Sequence, residues 1–199
     1  LNEVQALILA PTRELAIQTH KVVSNIGSFM DNLKCSLFIG GRSMEQDMTD
    51  LEKKPQIVVG TPGRVHDLMR RRKLTTRTIK ILVIDEADEM LSSGFKEQVY
   101  NIFQYLGNKI QVTLFSATLP NEIQTLTDKF MRDPIKILVK TESVTLEGIK
   151  QYYVALENDT QKYETMKDLF ESISVSQCII YCNSINRVSD LYEALWKDN

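Results

Sequence analysis

Six short apolar runs, at about 6–10, 36–39, 56–60, 80–84, 111–115 and 135–139, are separated by longer stretches in which apolar residues return every three or four positions. Runs of four or five residues suit buried strands, and the three-to-four step suits helices packed on them. Strands alternating with helices predict a parallel sheet covered on both faces. In the first helix Leu15, Val22, Ile26 and Phe29 form the expected buried stripe. From Lys140 to Glu147 the pattern turns polar, which predicts a linker at 140–147 between a first domain at 1–139 and a second at 148–199. That second region reads as a strand at 149–156, a helix at 162–171, a strand at 177–183 and a helix near 187–196. It has too few apolar residues for a core of its own, because small units bury a smaller share of their surface.

The chemistry lies where the strands end. Ile81-Leu82-Val83-Ile84 runs straight into Asp85-Glu86-Ala87-Asp88. Ligands of open parallel sheets sit outside the carboxyl ends of the strands, and a carboxylate there can hold magnesium on nucleotide phosphates. The competing reading is an acidic helix start that complements the macrodipole. Three further strands break into a small or cyclic residue, a polar donor and a helix: Pro11-Thr12-Arg13, Gly40-Gly41-Arg42 and Thr61-Pro62-Gly63-Arg64. Free amides at a helix start suit a phosphate, and glycine lets a backbone come close. Each turn alone is an ordinary strand-to-helix connection; together they predict a track for a nucleic-acid backbone. After the fifth run, the hydroxyls of Ser116-Ala117-Thr118 are placed to bond a neighbouring carboxylate, with Asp88 the nearest candidate, or simply to cap a helix.

With these elements in this order, the chain resembles a DEAD-box RNA helicase of the translation initiation factor 4A subfamily. The resemblance rests on Pro11-Thr12-Arg13-Glu14-Leu15-Ala16, Gly40-Gly41, Thr61-Pro62-Gly63-Arg64, Asp85-Glu86-Ala87-Asp88, Ser116-Ala117-Thr118 and Ile180-Tyr181-Cys182-Asn183-Ser184. It implies an α/β fold: a RecA-like parallel sheet with helices on both faces, its first unit missing, followed by the start of a second RecA-like lobe. It also implies ATP and magnesium as cofactors, with Asp85 orienting the metal through water and Glu86 as general base. Pro11, Thr12, Arg13, Gly40, Gly41, Thr61, Gly63 and Arg64 would line an RNA path read without regard to sequence. Asp88, Ser116 and Thr118 would couple nucleotide state to RNA grip.

Members of this class cradle phosphates with a glycine-rich loop ending in Gly-Lys-Thr or Gly-Lys-Ser, and none of the eight glycines here precedes a lysine. The expectation is a core fragment that turns ATP over poorly alone, cut from an ATP-dependent RNA helicase of translation initiation. An ATP-dependent RNA clamp or scaffold in nuclear RNA processing, and a non-catalytic RNA-binding module, stay open beside it. Protein scaffold factors are expected partners and the cytoplasm the expected compartment, with the nucleus open.

Composition refines this. A formal charge of −2 excludes a strongly basic nucleic-acid protein but not one with local contacts. The dense basic run Arg70-Arg71-Arg72-Lys73 falls where a helix ends, and cations there offset the dipole, with an RNA contact the other reading. Cysteines 35, 178 and 182 suit buried free thiols rather than a disulfide framework. No zinc site is expected, since neither His20 nor His66 lies near a cysteine pair, and no apolar stretch reaches membrane length.

Overall fold

Five parallel strands carry the first part of the chain: β1 (Ala6–Leu9), β2 (Cys35–Phe38), β3 (Ile57–Gly60), β4 (Ile81–Ile84) and β5 (Gln111–Leu114), in the order β2-β3-β1-β4-β5. They belong to a computed structural model that describes residues 3–92, 94–118, 121–138 and 148–198. The chain divides into two compact units, Leu1–Leu138 and Val139–Asn199.

In the first unit the register aligns the strand ends: Leu9 stands beside Gly60 and Ile84, Gly60 beside Phe38, and Ile84 beside Leu114. From β1 the chain crosses to one side, toward β2 and β3, and from β3 it returns over β1 to β4 and β5. The switch point therefore lies between β1 and β4, where the crevice of an open α/β sheet forms.

Alternation along the strands supplies both cores. Leu7, Leu9, Val58, Leu82 and Ile84 face a cluster completed by helices α3 (Pro62–Arg70), α4 (Ala87–Ser92), α5 (Lys96–Tyr105) and α6 (Asn121–Phe130), through Leu68, Met90, Ile102 and Leu126. On the other face Ile8, Leu37 and Val59 pack with Ala16 of α1 (Arg13–Ile26). Each fully buried leucine contributes roughly 1.5–3 kcal/mol. Helix starts follow the local chemistry. Thr12 caps α1 by accepting from the Leu15 amide, Ser43 and Gln46 form a capping box at α2 (Met44–Glu52), and Pro62 occupies the first turn of α3.

Several expectations are corrected. Helix α1 does not bury the stripe Leu15, Val22, Ile26 and Phe29: Leu15 is half-buried, Val22 is 50% exposed, Ile26 77% and Phe29 97%. It lies on the sheet through Ala16, with Thr19, His20 and Val23 half-buried along the same face and Gly27 buried just beyond. Small residues let the helix approach closely, and a Cβ on Gly27 would run into Leu33. The run at 135–139 forms no strand over its described residues 135–138. Strand structure needs a ladder, and Ile135 and Ile137 stand about nine-tenths exposed. Cys178 is exposed and Cys35 and Cys182 are only half-buried, although all three are free.

The second unit, by itself, holds α7 (Gln161–Ser172) and α8 (Ile185–Lys197), and neither helix has a buried residue. The expected strands at 149–156 and 177–183 form no ladder. Lys167 and Tyr163 both reach Asp198, at 2.9 Å each, and Arg187 meets Asp159 at 3.3 Å. The expected linker at 140–147 lies outside the described residues.

Candidate functional site

The ladder does not stop where the strands stop. Past their ends, the amide of Ala10 donates to Gly60, that of Thr61 to Phe38, that of Asp85 to Leu9 and that of Phe115 to Ile84, all at 2.9–3.1 Å. The residues singled out in sequence stand on or just beyond these last rungs, so a regular sheet holds their backbones on one edge.

Seven of the eight expected RNA-lining residues border one open cleft of about 630 Å³: Pro11, Thr12, Arg13, Gly40, Thr61, Gly63 and Arg64. The eighth, Gly41, does not line it but follows Gly40, which does. Its φ is +88°, and a Cβ there would stand 2.8 Å from Nη1 of Arg13, whose guanidinium lies across both glycines. Here glycine is required by conformation, since the arginine tip could move aside but the positive φ could not. Gly63 differs, because a Cβ would meet nothing within 4 Å. Gly63 is the second residue of α3, and nothing in the packing there asks for a glycine. Thr12 is exposed at the start of α1 and its hydroxyl oxygen already accepts from Leu15, which leaves the hydroxyl proton free to donate. Thr61 caps α3 without using its side chain in a capping bond. The cleft also includes Glu14, Asp67 and Phe95, to which the sequence reading gave no part.

At the end of β4, Asp85 Oδ1 accepts from the Glu86 amide at 3.1 Å. Glu86 is exposed and has a left-handed backbone, φ +49°, at the entry to α4. Asp88, in the first turn of α4, joins β4 to β5. The amide and hydroxyl of Thr118 both donate to its Oδ2, at 3.1 and 2.6 Å, its own amide donates to Ser116 Oγ at 3.3 Å, and Ser116 Oγ donates to the Thr118 carbonyl at 2.7 Å. The carboxylate and the two hydroxyls are thus brought together as the sequence suggested.

The Thr118 hydroxyl, helped by the Glu89 amide, by Ser116 and by the Thr118 amide, holds the Asp88 carboxyl below its usual range, against a smaller opposing effect of burial. A depressed acid stabilises the fold fully above its unfolded value near ~4, and that contribution is lost as pH falls through the lower folded value. Thr118→Val, which keeps the shape and removes the hydroxyl, is expected to move the Asp88 titration upward. A carbon-13 NMR titration reads this directly, and an unmoved midpoint would break the assignment of the hydroxyl as the main cause.

Sequence reasoning missed Asp47 altogether. It sits in the first turn of α2 with no exposed surface, its Oδ2 3.2 Å from Arg64 Nη1 and its Oδ1 3.9 Å from Arg42 Nε. Neither oxygen receives a hydrogen bond of good geometry, so the arginines hold it by charge. Burial pushes its carboxyl above the usual range, against the pull of Arg64 and Arg42. Arg42 also donates to the Leu37 carbonyl and to Asp50 at 2.7 Å, and Arg64 donates to the Arg42 carbonyl. An acid in a first helical turn reads as an exposed dipole partner, so the sequence carries no signal for this burial. The basic run lies at the end of α3, with Arg70 and Arg71 on Asp67 at 2.7 and 2.9 Å.

Among the described residues, no three His, Cys, Asp or Glu side chains gather into a metal cage. A lone Asp85 suits magnesium, which keeps several waters and is bound by one or two carboxylates together with substrate phosphates. No helix among them is long and apolar enough to cross a membrane.

Comparison with known proteins agrees with this geometry. Residues 1–126 match the family model described as DEAD/DEAH box helicase. "ATP-dependent RNA helicase eIF4A" of Pyricularia oryzae is 53% identical over 195 residues, 98% of this chain and 49% of that protein. "Eukaryotic initiation factor 4A-3" of Nicotiana plumbaginifolia is 50% identical over 198 residues, 100% of this chain and 50% of that protein. The chain therefore spans about half the length of the curated relatives it matches. Among solved structures, S. cerevisiae Dbp5 bound to RNA and ADP BeF3 superimposes with a TM-score of 0.81 at 31% identity, covering 99% of this chain and 49% of that one. A DEAD box protein from the hyperthermophile Methanococcus jannaschii gives 0.64 at 34% identity, covering 99% of this chain and 52% of that one. The loop chemistry, the parallel sheet that aligns it and these likenesses agree: the chain belongs to the DEAD/DEAH box helicase family.

Proposed function

We propose that the chain is the core of an ATP-dependent RNA helicase of translation initiation, in which RNA-stimulated ATP hydrolysis is coupled to local duplex separation. The observation that carries this is the single edge on which the acidic turn, the phosphate-sized turns and the hydroxyl turn all emerge, with one cleft joining most of the RNA-path residues. The names of its relatives, and the RNA bound to the Dbp5 neighbour, support RNA and ATP as ligands.

Glu86 takes the proton of the attacking water, and Asp85 would hold magnesium through water. Magnesium, when bound with ATP, supplies neutralisation of phosphate charge. Thr12, Thr61 and the amides at the starts of α1 and α3 take RNA phosphates, with Arg13, Arg64, Pro11, Gly40, Gly41 and Gly63 shaping the path. Asp88, Ser116 and Thr118 relay nucleotide state, because they tie the acidic turn after β4 to the end of β5. Within the whole protein, 1–139 belongs to the first helicase domain, 140–147 to the linker and 148–199 to the second. Protein scaffold factors and a cytoplasmic site of action go with the translation role.

The test compares RNA-stimulated ATP hydrolysis of this chain with that of the same chain extended at both ends to its relatives' length. Activity in the extended protein alone is the expected result; none in either overturns the helicase reading and leaves a binding module.

A further inference from the structure

The geometry points to Asp47 as a positioning residue for the RNA grip: without touching RNA, it sets Arg64 and the Gly40–Gly41–Arg42 turn in one fixed frame. This rests on the RNA-path reading above and adds to it a residue outside every motif.

Two of the phosphate-sized turns belong to different loops, one after β2 and one after β3. Each is anchored at its root by the sheet, but nothing in the ladder fixes their tips. Asp47 links them, since Arg64 from the turn after β3 stands 3.2 Å, and Arg42 from the turn after β2 stands 3.9 Å, from the same buried carboxylate, Arg42 being held more closely by Asp50 at 2.7 Å. Arg64 then closes the link by donating to the Arg42 carbonyl. A buried charge is tolerated only when paired, and a lone arginine beside a cleft has many rotamers. The carboxylate takes that freedom from Arg64, whose side chain stays 14% exposed, enough to present one edge to the cleft it borders. Asp50 serves Arg42 and Lys53 at the surface and does not reach Arg64.

The sign of the effect separates this role from simpler ones. Asp47→Asn removes a negative charge beside a phosphate path, so electrostatics alone predicts tighter RNA binding. Positioning predicts the opposite, because Arg64 keeps its charge and loses its aim. A loss of one ordered phosphate contact weakens binding about tenfold and lowers the slope of log affinity against log salt by roughly one. A merely structural role lowers the folded fraction and leaves the slope alone.

The experiment measures binding of single-stranded oligouridine to the extended protein with a non-hydrolysable ATP analogue, across a salt series, for wild type and Asp47→Asn. Weaker binding with a reduced slope is the expected result. Equal or tighter binding, or weaker binding at unchanged slope, overturns the role of Asp47 while leaving the RNA path standing. A wild type that binds no RNA takes down both. If Asp47→Asn melts too low to be read, Asp47→Glu keeps the charge and displaces the carboxylate by one methylene from its place beside Arg64. It then carries the same expectation and the same refutation.

Discussion

Glu86→Gln, in the chain extended to its relatives' length, is expected to lower RNA-stimulated ATP hydrolysis by about a hundredfold or more while RNA and nucleotide affinity stay nearly unchanged. The amide keeps the size of the side chain and cannot take a proton. The structure makes the substitution clean. Among the described residues the Glu86 carboxylate enters no ion pair, and the local backbone is held by main-chain bonds from Asp85 to Leu9, Ala87 to Phe115 and Met90 to Glu86. Single-turnover hydrolysis with RNA present is the measurement. A rate within a few fold of wild type would remove Glu86 from the role of base and leave Asp85 or a water chain to be considered in its place.

The second large effect is on stability. Gly60 closes β3 between Phe38 and Leu9. A Cβ there would run into the Phe38 carbonyl oxygen and stand 2.7 Å from Val65 Cγ2. The carbonyl cannot yield, because it accepts the Thr61 amide that holds the start of α3. Gly60→Ala is therefore expected to cost roughly 3 kcal/mol, in the upper range for overpacking. Gly63→Ala, three residues on and facing open space, is the internal control and should gain up to ~1 kcal/mol. Urea unfolding of this chain measures both. Equal midpoints for the two variants would contradict the packing described around Gly60.

Much of the site was legible because it obeys local rules. A strand buried on both faces must read as an apolar run, and a turn that feeds a helix must carry caps and donors, so β1 to β5 and their loops stood out. Asp88 with Ser116 and Thr118 was legible for a related reason, since the ends of neighbouring parallel strands are neighbours. What escaped was decided by partners distant in sequence. Helix α1 has apolar residues on more than one side, and the side that packs was chosen by the small Ala16 and Gly27, which periodicity undervalues. The run at 135–139 has strand composition but no ladder over its described residues. Asp47 looks like any acid opening a helix until two arginines from separate turns close over it.

The left-handed backbone of Glu86 has a consequence for how such a protein can be improved. Outside glycine, and to a lesser degree asparagine and aspartate, that conformation costs about 1 kcal/mol. Selection for heat resistance alone would therefore favour glycine at position 86 and discard the proposed base along with the strain. A lineage that keeps glutamate there is trading durability for turnover, and a thermostable descendant bred without an activity screen would be expected to lose it together with Lys54 and Arg72, which share the conformation.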